Sequence, residues 1–185
     1  MTDGPIRRVT VVGSSGSGKT TFAAQLAERL GVSHIELDAI YWGPGWSQLD
    51  VEAFRDRVAE ATAGDTWVCD GNYGRQVQPM ILDRADTVVW LDLPLRTCLA
   101  RMLRRTRRRI RDKDDLWGGN RESWREVFIG REALFWWLVT QHRRKRREYA
   151  ARFSAPDSTH LRVLRFTTSA DAARWLESLP IRAGR

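Results

Sequence analysis

Gly13-Ser14-Ser15-Gly16-Ser17-Gly18-Lys19-Thr20 decides the reading of this chain. The apolar run Val9-Thr10-Val11-Val12 precedes it, and Phe22, Ala23, Leu26, Ala27 and Leu30 follow at helical spacing. Strand, G-x-x-x-x-G-K-[ST] and helix, in that order, make the context of a phosphate-binding P-loop. Glycines let such a loop turn its backbone N–H groups onto a polyphosphate, and the N-terminal end of the next helix adds positive partial charge. Gly13, Ser14, Ser15, Gly16, Ser17, Gly18, Lys19, Thr20 and Thr21 are therefore the expected nucleotide-binding set. Lys19 is expected at the β- and γ-phosphates and the Thr20 hydroxyl on Mg²⁺. ATP is the expected nucleotide, with GTP left open.

Outward from this loop, strands and helices alternate. Residues 7–12 read as the first strand and 19–30 as the first helix, with Gly31 in the usual place for a helix stop. Ser33 to Asp38 alternates as a second strand ending on a carboxylate, and residues 39–46 read as a turn-rich aromatic connection. Asp50 is placed to cap a helix running to about Ala63. Further strands are expected at 66–69, 87–91 and 161–166, with helices at 77–84, from Leu95 to Ile110, from Glu122 to Phe153, and from Ser169 to Leu179. Asp112–Asn120 is polar and contains glycines, so it reads as a mobile loop. Such alternation predicts a parallel sheet covered by helices on both faces, with ligands outside the carboxyl ends of its strands. That rim would hold the P-loop, Asp38, Asp70 and Asp92 together. Neither a repeat nor a linker interrupts the 185 residues, so one domain is expected.

No stretch approaches the roughly 20 apolar residues of a membrane helix, and the polar start, Met1 to Arg8, lacks a signal-peptide pattern. Cys69 and Cys98 read as buried thiols of a reducing compartment, which points to a cytoplasmic protein. The net charge of +8 favours anionic partners, without choosing among nucleotides, phosphorylated compounds and nucleic acid.

Asp70 ends an apolar run, as an acid that orients Mg²⁺ does, although Asp70-Gly71 also suits a simple turn. Asp38 is a candidate to accept a proton from a substrate hydroxyl, or merely to position the substrate. Trp42, Trp46, Asn72 and Tyr73 flank these carboxylates as candidate substrate contacts; each aromatic would serve equally as packing. Arg75 is placed to clamp an anionic group. Phosphoryl transfer needs cations that neutralise charge as the group moves, and Arg101, Arg105, Arg109, Arg111 and Arg121 are the candidates. Arg143 to Arg147 reads as a solvated helical face, and Trp136-Trp137 as core. The three histidines are too scattered to suggest a metal site.

Together, the P-loop, L-D-A-I-Y-W-G-P-G-W at Leu37–Trp46, W-V-C-D-G-N-Y at Trp67–Tyr73 and V-V-W-L-D-L-P-L-R-T-C-L-A-R at Val88–Arg101 resemble one family. It is the adenylate-kinase-like P-loop kinase group often labelled DNA topology modulation proteins. The resemblance implies a three-layer P-loop NTPase fold, a five-stranded parallel sheet in the order 2-3-1-4-5, and a short Arg-rich lid at about residues 104–121. It also implies ATP on Gly13–Thr21, Asp70 beside the nucleotide, Asp38 on the substrate side and Thr167–Ser169 near the adenine. Adenylate kinases read D-G-F-P-R where this chain has Asp70-Gly71-Asn72-Tyr73-Gly74-Arg75, which argues against AMP as the acceptor. The expectation is an Mg-ATP-dependent kinase of a small molecule, with nucleosides, nucleotides and other hydroxyl compounds as candidate acceptors. A nucleic-acid-binding or regulatory ATPase that uses the basic surface is the alternative.

Overall fold

Five short strands, each followed by a helix, form one parallel sheet in the order β2-β3-β1-β4-β5. The computed structural model describes residues 5–73, 76–124, 134–155 and 159–181. The strands are β1 (Arg8–Gly13), β2 (Ser33–Glu36), β3 (Trp67–Asp70), β4 (Thr87–Leu91) and β5 (Arg162–Phe166). The described helices are α1 (Lys19–Leu30), α2 (Leu37–Tyr41), α3 (Val51–Ala61), α4 (Gln78–Arg84), α5 (Leu95–Asp112), α6 (Leu134–Phe153) and α7 (Ser169–Ser178).

Strand alternation builds the three layers. Val9 and Val11 point into a cluster with Phe22, Leu26, Ala172 and Leu176, which puts α1 and α7 on one face. Val12, Cys69, Val88 and Trp90 point the other way, into Phe54, Val58, Ile81 and Tyr149 of α3, α4 and α6. A smaller cluster of Leu93, Cys98, Met102 and Leu138 seats α5 on α6. Gly31 ends α1 in the left-handed conformation, and the Asp50 carboxylate caps α3 by accepting from the amides of Glu52 and Ala53. Both cysteines are free and buried, and no helix of the described residues is long and apolar enough to cross a membrane.

Four expectations need correction. Strand two stops at Glu36, and Asp38 lies in the first turn of α2 rather than at a strand end. The aromatic connection is this helix followed by a tight turn at Pro44–Trp46. The end of the supposed mobile loop is packed: Leu116 to Asn120 lies against Gly43–Trp46, and Asn120 is only 6% exposed. Trp136 is exposed rather than core. The Trp137 side chain and the stretch 125–133 of the expected long helix lie outside the described residues.

Candidate active site

The P-loop stands where the sheet ends. Gly13 pairs in register with Leu91, while Val11 and Glu36 pair with Asp70, so loop and carboxylates share the carboxyl rim. Gly16 takes φ +77, and a Cβ there would lie 2.2 Å from the Cys98 carbonyl oxygen. Only glycine meets both demands, and α5 can then press against the loop. Lys19 is the first residue of α1, and its ammonium donates to the Ser14 carbonyl at 3.3 Å. Burial lowers its pKa, opposed by the nearby carboxylates of Asp70 and Asp38. It is a half-buried cation that faces the cavity and, among the described residues, bonds its own loop, which suits it to a phosphate.

Asp70 is 2% exposed and takes two hydrogen bonds, from the Thr20 hydroxyl at 2.9 Å and from His34 Nε2 at 2.8 Å. A hydroxyl and a carboxylate oxygen side by side are hard donors of the kind Mg²⁺ takes alongside substrate phosphates. The described residues contain no larger group of His, Cys, Asp or Glu that could hold a metal by itself. Thr20 and Asp70 therefore fit a magnesium ion that also needs phosphate oxygens. Sequence reasoning missed His34 here, since its role depends on β2 lying beside β3.

Asp38 Oδ1 accepts from the Tyr73 hydroxyl at 2.6 Å, and the Tyr73 ring packs against Tyr41 and Phe54. Burial, and then Asp38, raises the pKa of Tyr73, so its hydroxyl stays a donor. A cavity of about 1770 Å³ runs from the P-loop past Asp38, Trp42, Trp46 and Tyr73 to Arg105, Arg109 and Trp117. Glu36 also lines it, with its pKa raised by burial and lowered in part by a hydrogen bond from Trp117. At the other end Ser169 lines the wall and accepts from Arg101, which also donates to the Ser17 carbonyl.

Arginines of α5 divide by helical face. Arg101, Arg104, Arg105, Arg108 and Arg109 line the cavity. Arg105 is partly buried and its Nε has no partner among the described residues; burial, then neighbouring Arg109, lowers its pKa. Arg109 pairs with Glu122 at 3.3 Å and lies over the Trp117 ring. Arg111 and Arg121 are not brought to the site: they are exposed and paired with Asp112 and Asp115. Asn72 lines the cavity and also acts as a brace. Its amide donates to the Gly13 carbonyl at 2.7 Å and accepts from the Tyr149 hydroxyl at 3.0 Å. Arg75 lies outside the described residues.

The basic run on α6 is more than a solvated face. His142 Nδ1 shares a 2.8 Å hydrogen bond with the Ser14 hydroxyl, and Lys145 donates to the Asn72 carbonyl at 3.4 Å. Arg146 and Arg165 both bond the buried Asp92 carboxylate, so Asp92 braces the sheet to α6. Burial, and then neighbouring Lys19, pushes the Lys145 pKa down to about 8 from its ordinary 10.5. The unfolded chain therefore holds the extra proton between those values, and stability rises with pH from about 8 to 10.5. Urea unfolding across that window is expected to show a shallower rise in Lys145→Met. An identical slope would mean that Lys145 titrates normally.

Fold and site together define the class, a three-layer α/β P-loop NTPase fold with an Arg-lined arm over its phosphate loop. A family profile described as an AAA domain matches residues 9–73. Among solved structures, the chain is similar to shikimate kinase from Acinetobacter baumannii in complex with shikimate. The two are 21% identical over 93% of this chain and 89% of that one, with a TM-score of 0.58. An unliganded sugar kinase from a Janibacter species is 24% identical over 96% of each chain, with a TM-score of 0.50. Deoxyadenosine kinase from M. mycoides is 13% identical over 91% of this chain and 94% of that one, with a TM-score of 0.51. At such identities the likeness is one of fold. No curated protein matches the chain.

Proposed function

We propose that this chain is a single-domain, cytoplasmic, Mg-ATP-dependent phosphotransferase that moves the γ-phosphoryl group of ATP to a hydroxyl of a small molecule. The observation that carries the reading is one cavity faced by a half-buried ammonium (Lys19), a carboxylate held by a tyrosine (Asp38) and a guanidinium whose Nε has no partner among the described residues (Arg105). In this mechanism Asp38 takes the acceptor's proton while the acceptor oxygen bonds to the γ-phosphorus and the bond to ADP breaks. Tyr73 holds one oxygen of Asp38, which fixes the carboxylate so that the other faces the acceptor. Lys19 and Arg105 draw off the charge that develops on the transferred group. Thr20 and Asp70 would hold Mg²⁺, which supplies further charge neutralisation on the phosphate oxygens. Trp42 and Trp46 wall the acceptor side. The sequence resemblance to proteins labelled for DNA topology modulation names a phenotype, and a small-molecule kinase is the reaction favoured here.

Radiolabelled ATP offered with a panel of sugars, nucleosides and hydroxy acids tests the reading. A labelled acceptor above the Lys19→Ala background supports it, and none across the panel counts against it. With that acceptor, Asp38→Asn is expected to lower turnover by about 10²–10⁴-fold while Mg-ATP affinity stays unchanged. Full activity in that variant would remove Asp38 from the proton transfer.

A further inference from the structure

We propose that Asn120 is a positioning residue that fastens the lid turn to the aromatic loop, so that Trp46 and Trp117 form one wall over the acceptor end of the cavity. The inference rests on reading that end as the acceptor site. Asn120 is buried, and its side chain spends both classes of hydrogen-bonding group across the gap. Oδ1 accepts from the Trp46 amide at 2.9 Å, while Nδ2 donates to the Gly43 carbonyl at 2.9 Å and to the Trp117 carbonyl at 2.6 Å. Its own backbone carbonyl accepts from the Leu116 amide at 2.7 Å, closing the lid turn upon itself. One amide therefore satisfies groups on two segments more than 70 residues apart in sequence.

Two further observations point the same way. Trp46 has φ 58, a left-handed conformation that a bulky L-residue avoids unless its surroundings impose it. The Asn120 side-chain oxygen holds its amide, beside the turn's own bonds from Gly43 to Ser47 and from Ser47 to Pro44. Gly118 then lets the lid turn approach: a Cβ there would lie 2.6 Å from the Gly43 carbonyl carbon and 2.7 Å from the Pro44 nitrogen. From this joint the contacts lead directly to the cavity. Trp46 stands edge-on to Trp42 at 5.6 Å, Trp117 bonds Glu36, and Arg109 covers the Trp117 ring. The lid's aromatic side and the acceptor loop thus form one unit, while Lys19 and Arg105 are held separately by α1 and α5. Loosening Asn120 opens the wall to water and leaves the phosphate machinery in place.

Hydrogen exchange resolved to the segments 42–48 and 114–120, together with calorimetry of Mg-ATP, tests this on the full chain. In Asn120→Ala both segments are expected to exchange about tenfold faster or more, as loss of a buried hydrogen bond predicts. Mg-ATP affinity should match the wild type. Hydrolysis of Mg-ATP without an acceptor should rise severalfold, with water taking the acceptor's place and Asp38 its proton. A loss of fold would instead lower both affinity and hydrolysis. Asn120→Asp keeps the acceptor for the Trp46 amide but loses the donor to both the Gly43 and the Trp117 carbonyls, so exchange in both segments should fall between wild type and Asn120→Ala. Unchanged exchange in Asn120→Ala, or a fall in hydrolysis, overturns the proposal. A wild-type chain that does not bind Mg-ATP ends the phosphotransferase reading itself, a result distinct from unchanged exchange with binding intact.

Discussion

Lys19→Ala is expected to lower phosphoryl transfer by about 10²–10³-fold and to weaken Mg-ATP binding, the magnitude seen when one preorganised charge-stabilising donor is removed. The folded chain itself should lose no stability, and this separates a binding residue from a structural one. Lys19 is half-buried with its pKa pushed down, and its ammonium donates to a carbonyl of its own loop. Holding an ammonium in that position opposes folding, because the charged form gives up water for little in return. Calorimetry and thermal unfolding on the same samples check both halves. Wild-type Mg-ATP affinity in Lys19→Ala would discard the nucleotide reading, and a large drop in melting temperature would make Lys19 a structural residue.

Phe54→Ala is expected to have the largest effect on stability, about 3–5 kcal/mol, as for other fully buried aromatic side chains cut to alanine. In a chain of this length that corresponds to a fall in Tm of roughly 10 °C. Phe54 is 0% exposed and stands edge-on to Tyr41 at 5.0 Å and to Tyr73 at 4.9 Å. Those two rings carry the acceptor loop and the hydroxyl that holds Asp38. The cavity left by the missing ring frees Tyr73 to turn, so acceptor turnover should fall while the P-loop, on the far side of β3, keeps its nucleotide. Denaturant unfolding measures the first effect and Mg-ATP titration the second. A loss below about 1 kcal/mol would mean the cluster collapses around the gap and does not hold Asp38 in place.

The residues that local chemistry governs were legible without coordinates. A strand, a glycine loop with Lys19 and Thr20, and an amphipathic helix specify their own geometry over some twenty residues. Asp70 was legible too, because an apolar run that ends on a carboxylate signals a strand leaving the sheet at its ligand-binding rim. Even the strand order, which the family resemblance implies, agrees with the observed sheet.

Other residues were misread wherever a side chain's role depends on what lies across the gap. Asn72 carries no sign in the sequence of the bonds to Tyr149 and Gly13 that brace it at the cavity wall. His34 looks isolated until β2 lies beside β3. Arg105 and Arg111 are equivalent in composition, yet the turn of α5 and its seat on α6 aim the first into the cavity and leave the second in water with Asp112. The sequence by itself determined the phosphate loop and the layered sheet, since neighbouring residues carry that information through backbone conformation and periodicity. Only the tertiary structure decided which arginines face the cavity, that α6 grips the loop through His142, and that Asn120 joins two distant turns. Packing and hydrogen bonding act through space, and no local pattern records which groups they bring together.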